Sequence, residues 1–299
     1  MFNLKHVLAI VDFRQKRHFA LPRAIELAHQ FGCEVTVTAN TYESFLDFIP
    51  TSSAIDREQI KQEAIEQNDA RLKALVTEQD VAGLKINYRT IWNASFHQGL
   101  SEYINEQSFD LVLKTAHSHN AIKKLMFTPT DWHLLRDTRT NILFVKEGKW
   151  PDNSIILGAI NVEDDKEHQA LNRKIISMTA ELAKSCNSKS SILNVFPWPM
   201  VHVQKFKHMF DKDDLFLTIK ADHETKVLKA VEDVTKISGK VIVAEGLEPE
   251  ETIPQLVQSM HAPLLVMGTV GRKGLGAAMI GNMAERILDE LQCEVLTVK

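Results

Sequence analysis

Cysteine is scarce. Cys33, Cys186 and Cys293 are the only three in 299 residues, and they form no CxxC pair. A disulfide framework or a cysteine zinc site needs more, and closer, thiols. A basic excess is also missing. The formal charge is −4, with both signs interspersed, so no nucleic-acid footprint is expected. No apolar run approaches ~18 residues, so no membrane span is expected. The opening MFNLKHVLAIVDF has only a short apolar run ending at Asp12, not the longer core of a signal peptide, and a cytoplasmic protein is expected. Motifs of hydrolytic chemistry are lacking too: there is no GxSxG elbow and no HExxH. No trio of residues reads as nucleophile, base and orienter. A fast enzyme is therefore not expected.

What is present is repetition. VLAIVD (7–12) recurs as ILGAIN (156–161), DLVLKTA (110–116) as PLLVMGTV (263–270), and NILFVK (141–146) as EVLTVK (294–299). Three matches in one order at nearly constant offset imply one unit written twice. EGKWPDNS (147–154) supplies the Gly and Pro of a boundary, giving domains over 1–148 and 149–299. With 44% apolar residues there is material for two cores. Apolar runs without strict alternation predict strands near 5–11, 34–39, 85–91, 110–114 and 141–146. In the second half they predict strands near 155–161, 190–196, 240–245, 263–267 and 294–298. Helical patterns fall between, near 166–186, 213–237, 251–261 and 281–291. Strands buried on both faces and alternating with helices predict an α/β fold of two tandem doubly wound domains.

Glycine is used sparingly except in one place. GTVGRKGLGAAMIGN (268–282) holds five of the twelve. It follows the fourth strand of the second half and opens a helix. Backbone there can approach a ligand, and a helix N-terminus presents unpaired N–H groups, so the stretch reads as an anion site suited to phosphate. Asn282 is placed to cap the helix, and Arg272 adds charge. The bland alternative is a flexible surface loop.

Gly268-x-x-Gly271, nine residues, then Gly281 resembles the G-2x-G-9x-G-(S/T) loop of the universal stress protein family. EGLEPEETI (245–253) and TPTDWHLLR (128–136) resemble that family as well, and the resemblance spans both halves. It implies two five-stranded parallel sheets in order 3-2-1-4-5, with the last strands of the halves pairing as an intramolecular pseudo-dimer. It also implies that ATP, with Mg²⁺, is held in the second half. Gly268, Gly271 and Gly281 would admit phosphates, Arg272 and Asn282 would contact them, and Asn161 with Val162 would face the adenosine. Two positions depart from the pattern: Asn161 stands where the family has aspartate, and Asn282 where it has Ser or Thr. The first half keeps Asp12 but has Lys114 and His117 where the glycines belong, so its site is expected to be degenerate and closed. Thr130 or Asp131 would cap its following helix.

HSH (117–119), with His97 and His133, raises a metal site, but the spacing matches no known pattern and none is expected. FPWPMVHVQKFKHMFDKDDLF (196–216) reads as cover for the core, or as a lip over an apolar pocket or partner surface. The function expected is a nucleotide-binding stress sensor with unidentified protein partners, able to form a homodimer. The alternatives are a nucleotide-free scaffold and a carrier of a small apolar ligand.

Overall fold

The computed structural model describes residues 4–50, 55–119, 122–162, 166–198, 211–246, 248–269 and 280–299. The chain divides into two compact units. One holds Asn3–His117 with Phe127–Gly148; the other holds Lys149–Lys299 with Ser118–Met126 and Met1–Phe2.

In the N-terminal unit the strands are β1 (His6–Ile10), β2 (Glu34–Thr41), β3 (Ile86–Trp92), β4 (Leu111–Thr115) and β7 (Asn141–Val145). They pair in the order β3-β2-β1-β4-β7, every pair parallel. The central strands are buried on both faces, which is why VLAI and LVL carry no polar alternation. Helices α1 (Ala20–Phe31), α2 (Arg57–Thr77), α3 (Phe96–Glu106) and α4 (Pro129–Asp137) link them. Helix α1 stops at Gly32, whose left-handed φ of 67° lets its N–H turn back to Ala28 C=O. Helix α2 starts at Asp56, whose carboxylate accepts from the N–H groups of Glu58 and Gln59.

The C-terminal unit repeats the plan. Strands β8 (Ile155–Ala159), β9 (Lys189–Pro197), β10 (Val241–Gly246), β11 (Leu264–Gly268) and β12 (Glu294–Val298) run parallel in the order β10-β9-β8-β11-β12. Helices α5 (Lys166–Ser185), α6 (Lys212–Glu232), α7 (Pro249–Ser259) and α8 (Asn282–Glu290) connect them. Each unit thus has the 3-2-1-4-5 order. Right-handed crossovers put α5 and α6 on one face of the sheet and α7 and α8 on the other.

One feature breaks the repeat. Where the second half carries its glycine loop, the first half forms a two-stranded ribbon, β5 (His117–His119) and β6 (Ile122–Met126). Its Ser118–Met126 part groups with the C-terminal unit. There Leu125 N–H donates to Leu291 C=O at 2.8 Å, and Lys124 pairs with Glu290. Among the described residues no helix is long and apolar enough to cross a membrane.

Candidate functional site

In a doubly wound sheet the strands on either side of the switch point send their following helices to opposite faces. This leaves a crevice outside their carboxyl ends. In the C-terminal unit that point lies between β8 and β11. Asn161 and Val162 follow β8, and Gly268 ends β11. The crevice therefore collects three of the residues singled out in the sequence, with Gly281 and Asn282 at the start of α8.

The root of the glycine loop is pinned. Thr269 N–H reaches Val298 C=O at 3.3 Å, and Gly281 N–H reaches Thr269 C=O at 3.2 Å. Ile280 is buried beside this clasp. Helix α8 then begins with Gly281 as its N-cap, in extended conformation and without a side-chain capping bond. Asn282 is the first helical residue, not the cap expected of it. The clasp spends Gly281 N–H on Thr269, so the chain enters the helix one residue earlier. Among the described residues no side chain caps the next N–H groups, the arrangement that favours an anion. Ala284, Ile287 and Leu288 bury the opposite face and hold the helix in place. Gly271 and Arg272 lie outside the described residues.

Thr269 adds an unmet demand. It is 2% exposed, and its hydroxyl has no hydrogen-bond partner among the described residues. Successive residues of a strand face opposite sides. Gly268 faces α5: a Cβ built on it would stand 2.5 Å from Leu171 Cδ2. Thr269 therefore faces the α8 side, beside the helix N-terminus. The same contact gives Gly268 a packing reason to be glycine, because Leu171 fills the space its side chain would need.

On the β8 side, Asn172 of α5 donates to Asn161 C=O at 2.6 Å, and Asn194 of β9 donates to Ile160 C=O at 3.0 Å. The Asn194 amide oxygen can only accept, so His223 Nδ1, 2.8 Å away, carries the proton. Burial holds the His223 ring below the usual histidine range, with Asp222 opposing and Lys226 reinforcing. Behind this chain Phe196 and Trp198 pack with Leu215, Phe216, Ile219 and Val243. The described part of the aromatic stretch is therefore a cluster over the sheet's carboxyl edge.

The N-terminal unit is furnished differently. The Asp12 carboxylate takes Arg14 N–H at 3.0 Å and the Arg14 guanidinium through Nε and Nη2, both at 2.9 Å. Burial works to raise this carboxyl, but the Arg14 bonds and charge, with Lys114 behind them, outweigh it and hold it below the usual range. The same guanidinium lies 4.5 Å from the centre of the Phe96 ring. Lys114 reaches Asp131 at 2.6 Å, with both side chains almost wholly buried. His117 meets Gln15 at 3.0 Å, and burial and Lys114 push its ring below the usual histidine range against the pull of Asp131 and Asp12. Asp12, Lys114 and His117 thus each hold a separate partner and feel one another only through charge.

Thr130 does not cap the next helix. Thr128 does: its hydroxyl accepts from Asp131 N–H while Asp131 accepts from Thr128 N–H, with Pro129 in the first turn. Thr130 sits one residue too late, inside that turn. His97 and His133 stack at 3.9 Å, and among the described residues no three His, Cys, Asp or Glu side chains gather as an ion would require.

Fold and crevice together define a tandem, doubly wound α/β protein with an open switch point in its second sheet. The chain belongs to the universal stress protein family, whose model matches twice, over residues 3–146 and 160–299. It is 31% identical over 301 residues to universal stress protein E of Salmonella typhi, covering 100% of this chain and 95% of that one. To universal stress protein E of Escherichia coli K12 it is 30% identical with the same coverage. A crystal structure from Pseudomonas aeruginosa UCBPP-PA14, ascribed to the same family, superposes with a TM-score of 0.74 at 25% identity, over 99% of this chain and 93% of that one.

Proposed function

We propose that the C-terminal unit binds ATP or a related adenine nucleotide with Mg²⁺, and that the protein acts in the cytoplasm as a nucleotide-dependent stress sensor, not a fast catalyst. The observation that carries this is the clasped loop root. Thr269 and Gly281 hold the uncapped start of α8 at the mouth of the β8–β11 crevice, beside a buried hydroxyl with no partner among the described residues. Asn161 and Val162 face the nucleoside from the opposite wall. Gly268, Gly271 and Gly281 leave room for phosphates, and Arg272 and Asn282 contact them. The N-terminal unit, filled by the Asp12–Arg14 and Lys114–Asp131 pairs, binds no nucleotide in this way. Protein partners read out the loaded state.

Calorimetric titration of the full chain with Mg²⁺ and ATP tests the reading. One site per chain, lost in Gly281→Asp, is expected. Two sites would return the N-terminal unit to function. Absence of heat at millimolar ATP would favour the second reading, a nucleotide-free scaffold. That reading has its own support, because Leu171 already explains Gly268 by packing.

A further inference from the structure

Helices α5 and α6 lie side by side on one face of the C-terminal sheet, and a groove of about 380 Å³ runs between them. Its walls are the first turns of α5, through Gln169, Asn172 and Arg173, and the last turns of α6, through Lys226, Lys229 and Asp233. The spacing on each helix is three or four residues, which sets these side chains on one face toward the groove. Among the described lining residues, three cations thus meet one carboxylate. Lys226 is paired with Asp222 at 2.9 Å. Arg173 and Lys229 have no carboxylate partner among the described residues.

Cations near the carboxyl end of a helix answer its dipole, which accounts for Lys226 and Lys229. It does not account for Arg173, which lies in the amino-terminal half of α5, where that dipole gives a cation no advantage. Nor does it explain why Arg173 and Lys229 line one concavity beside the paired Lys226, where like charges repel unless an anion sits near them. The groove also has a fixed polar floor. Asn172 is 5% exposed, and its amide is tied to Asn161 C=O at 2.6 Å. Val162 forms the end wall. Val162 and Asn172 line the groove, and Asn172 holds the Asn161 carbonyl, so the groove adjoins the crevice.

We infer that this groove is an anion site that takes a phosphoryl group, held by the Arg173 guanidinium and the Lys229 and Lys226 ammonium groups. A guanidinium offers paired N–H donors to phosphate oxygens, and the two ammonium groups supply charge from the facing helix. The phosphoryl group has two sources. It is a free anion, or it is a second phosphate of the nucleotide held at Asn161. Only the second source rests on the proposed function.

Inorganic pyrophosphate, titrated into the full chain at low salt, tests the site, with the Asn172 side-chain amide followed by NMR. The amide is expected to shift saturably. Arg173→Gln with Lys229→Gln is expected to weaken binding at least ~tenfold, since removing one charge-assisted hydrogen bond has about that effect. Gly281→Asp is expected to leave it unchanged. Arg173 and Lys229 are exposed, and an unaltered melting temperature verifies that the double variant is folded. Adenosine 3′,5′-bisphosphate against AMP separates the sources. If the groove takes the nucleotide's own second phosphate, the double variant weakens the bisphosphate ~tenfold and leaves AMP alone. If it takes a free anion, only pyrophosphate is affected. An unmoved Asn172 amide overturns the inference. So does pyrophosphate binding that is lost in Gly281→Asp yet kept in the double variant, which would place the anion in the glycine loop. Pyrophosphate retained in the groove with no ATP binding anywhere would remove the nucleotide reading and leave the groove standing.

Discussion

Lys114 Nζ lies 2.6 Å from Asp131 Oδ1 inside the N-terminal unit, at the place where the C-terminal unit has Gly268 and its loop. One repeat has a glycine at the strand end, packed against Leu171, and the other has a buried ion pair. Asp131 is shared: its second oxygen takes both the N–H and the hydroxyl of Thr128, closing the capping box of α4. Removing one member of a buried pair leaves the other charge uncompensated, at a cost of roughly 3–5 kcal/mol. Asp131→Ala should reach that range, because the cap is lost as well. Lys114→Met with Asp131→Leu should recover much of the loss. Amide exchange of β4 and α4 is the measurement, since a two-unit chain need not unfold in one step. Equal costs for Asp131→Ala and the double variant would mean the cap, not the pair, carries the stability.

Asp12 and His223 each add to an acid limb, beside the His6, His18 and His117 rings that burial also lowers in the N-terminal unit. The Asp12 carboxyl is held below its ordinary 3.8 because Arg14 and Lys114 outweigh burial. A carboxyl depressed on folding contributes stability that is present above the unfolded value and lost as pH falls through the folded one. The Asp12 contribution is therefore lost below about pH 4. His223 is depressed below 6.5 by burial. The unfolded chain takes up its proton first, so stability falls with acidification from about pH 6.5 downward until the folded ring is also protonated. Asp12→Asn should flatten the N-terminal unit's limb below about pH 4, and His223→Gln should flatten the C-terminal unit's limb below about pH 6.5. Unfolding midpoints between about pH 3 and pH 7, read separately for each unit by amide exchange, check both assignments.

The alternation of strands and helices was legible because parallel strands buried on both faces leave unbroken apolar runs. VLAI and LLVM read as sheet for that reason. The doubling was legible because both units bury the same strands in the same order. The ribbon at His117–Met126 was not legible: HSH and IKKLM are too polar and too short to read as strands. The cap at Thr128 could have been found, since Pro129 marks a first helical position and points one residue back. The cap at Gly281 could not, because it follows from the bond to Thr269, which closes across the loop. The pairs Asn172–Asn161 and Asn194–His223 join side chains distant in sequence, and no local pattern announces them.

Leu171 and Gly268 make a pair that can be exchanged. A methyl at 268 would stand 2.5 Å from the Leu171 side chain. Gly268→Ala should destabilise the C-terminal unit by about 1–3 kcal/mol through overpacking. Gly268→Ala with Leu171→Ala should recover most of this, because the shortened side chain makes room. Thermal melts of the three variants give the coupling. Additive losses would show that Leu171 is not what excludes a side chain at 268.

Thr269 separates stability from binding. The buried Thr269 hydroxyl, without a partner among the described residues, costs free energy. Thr269→Val keeps the shape and removes the hydroxyl, so the empty protein should hold its stability or gain up to about 1 kcal/mol. If the hydroxyl is kept for a ligand at the start of α8, the same change should weaken ATP binding by roughly tenfold, which is the loss of about one hydrogen bond. Thr269→Ser, which keeps the donor, should bind within about twofold of the parent. Opposite signs in melting and titration would be the mark of a group set aside for ligand. If Thr269→Val lowers the melting point and leaves ATP affinity alone, the residue belongs to the clasp with Gly281 and to nothing else.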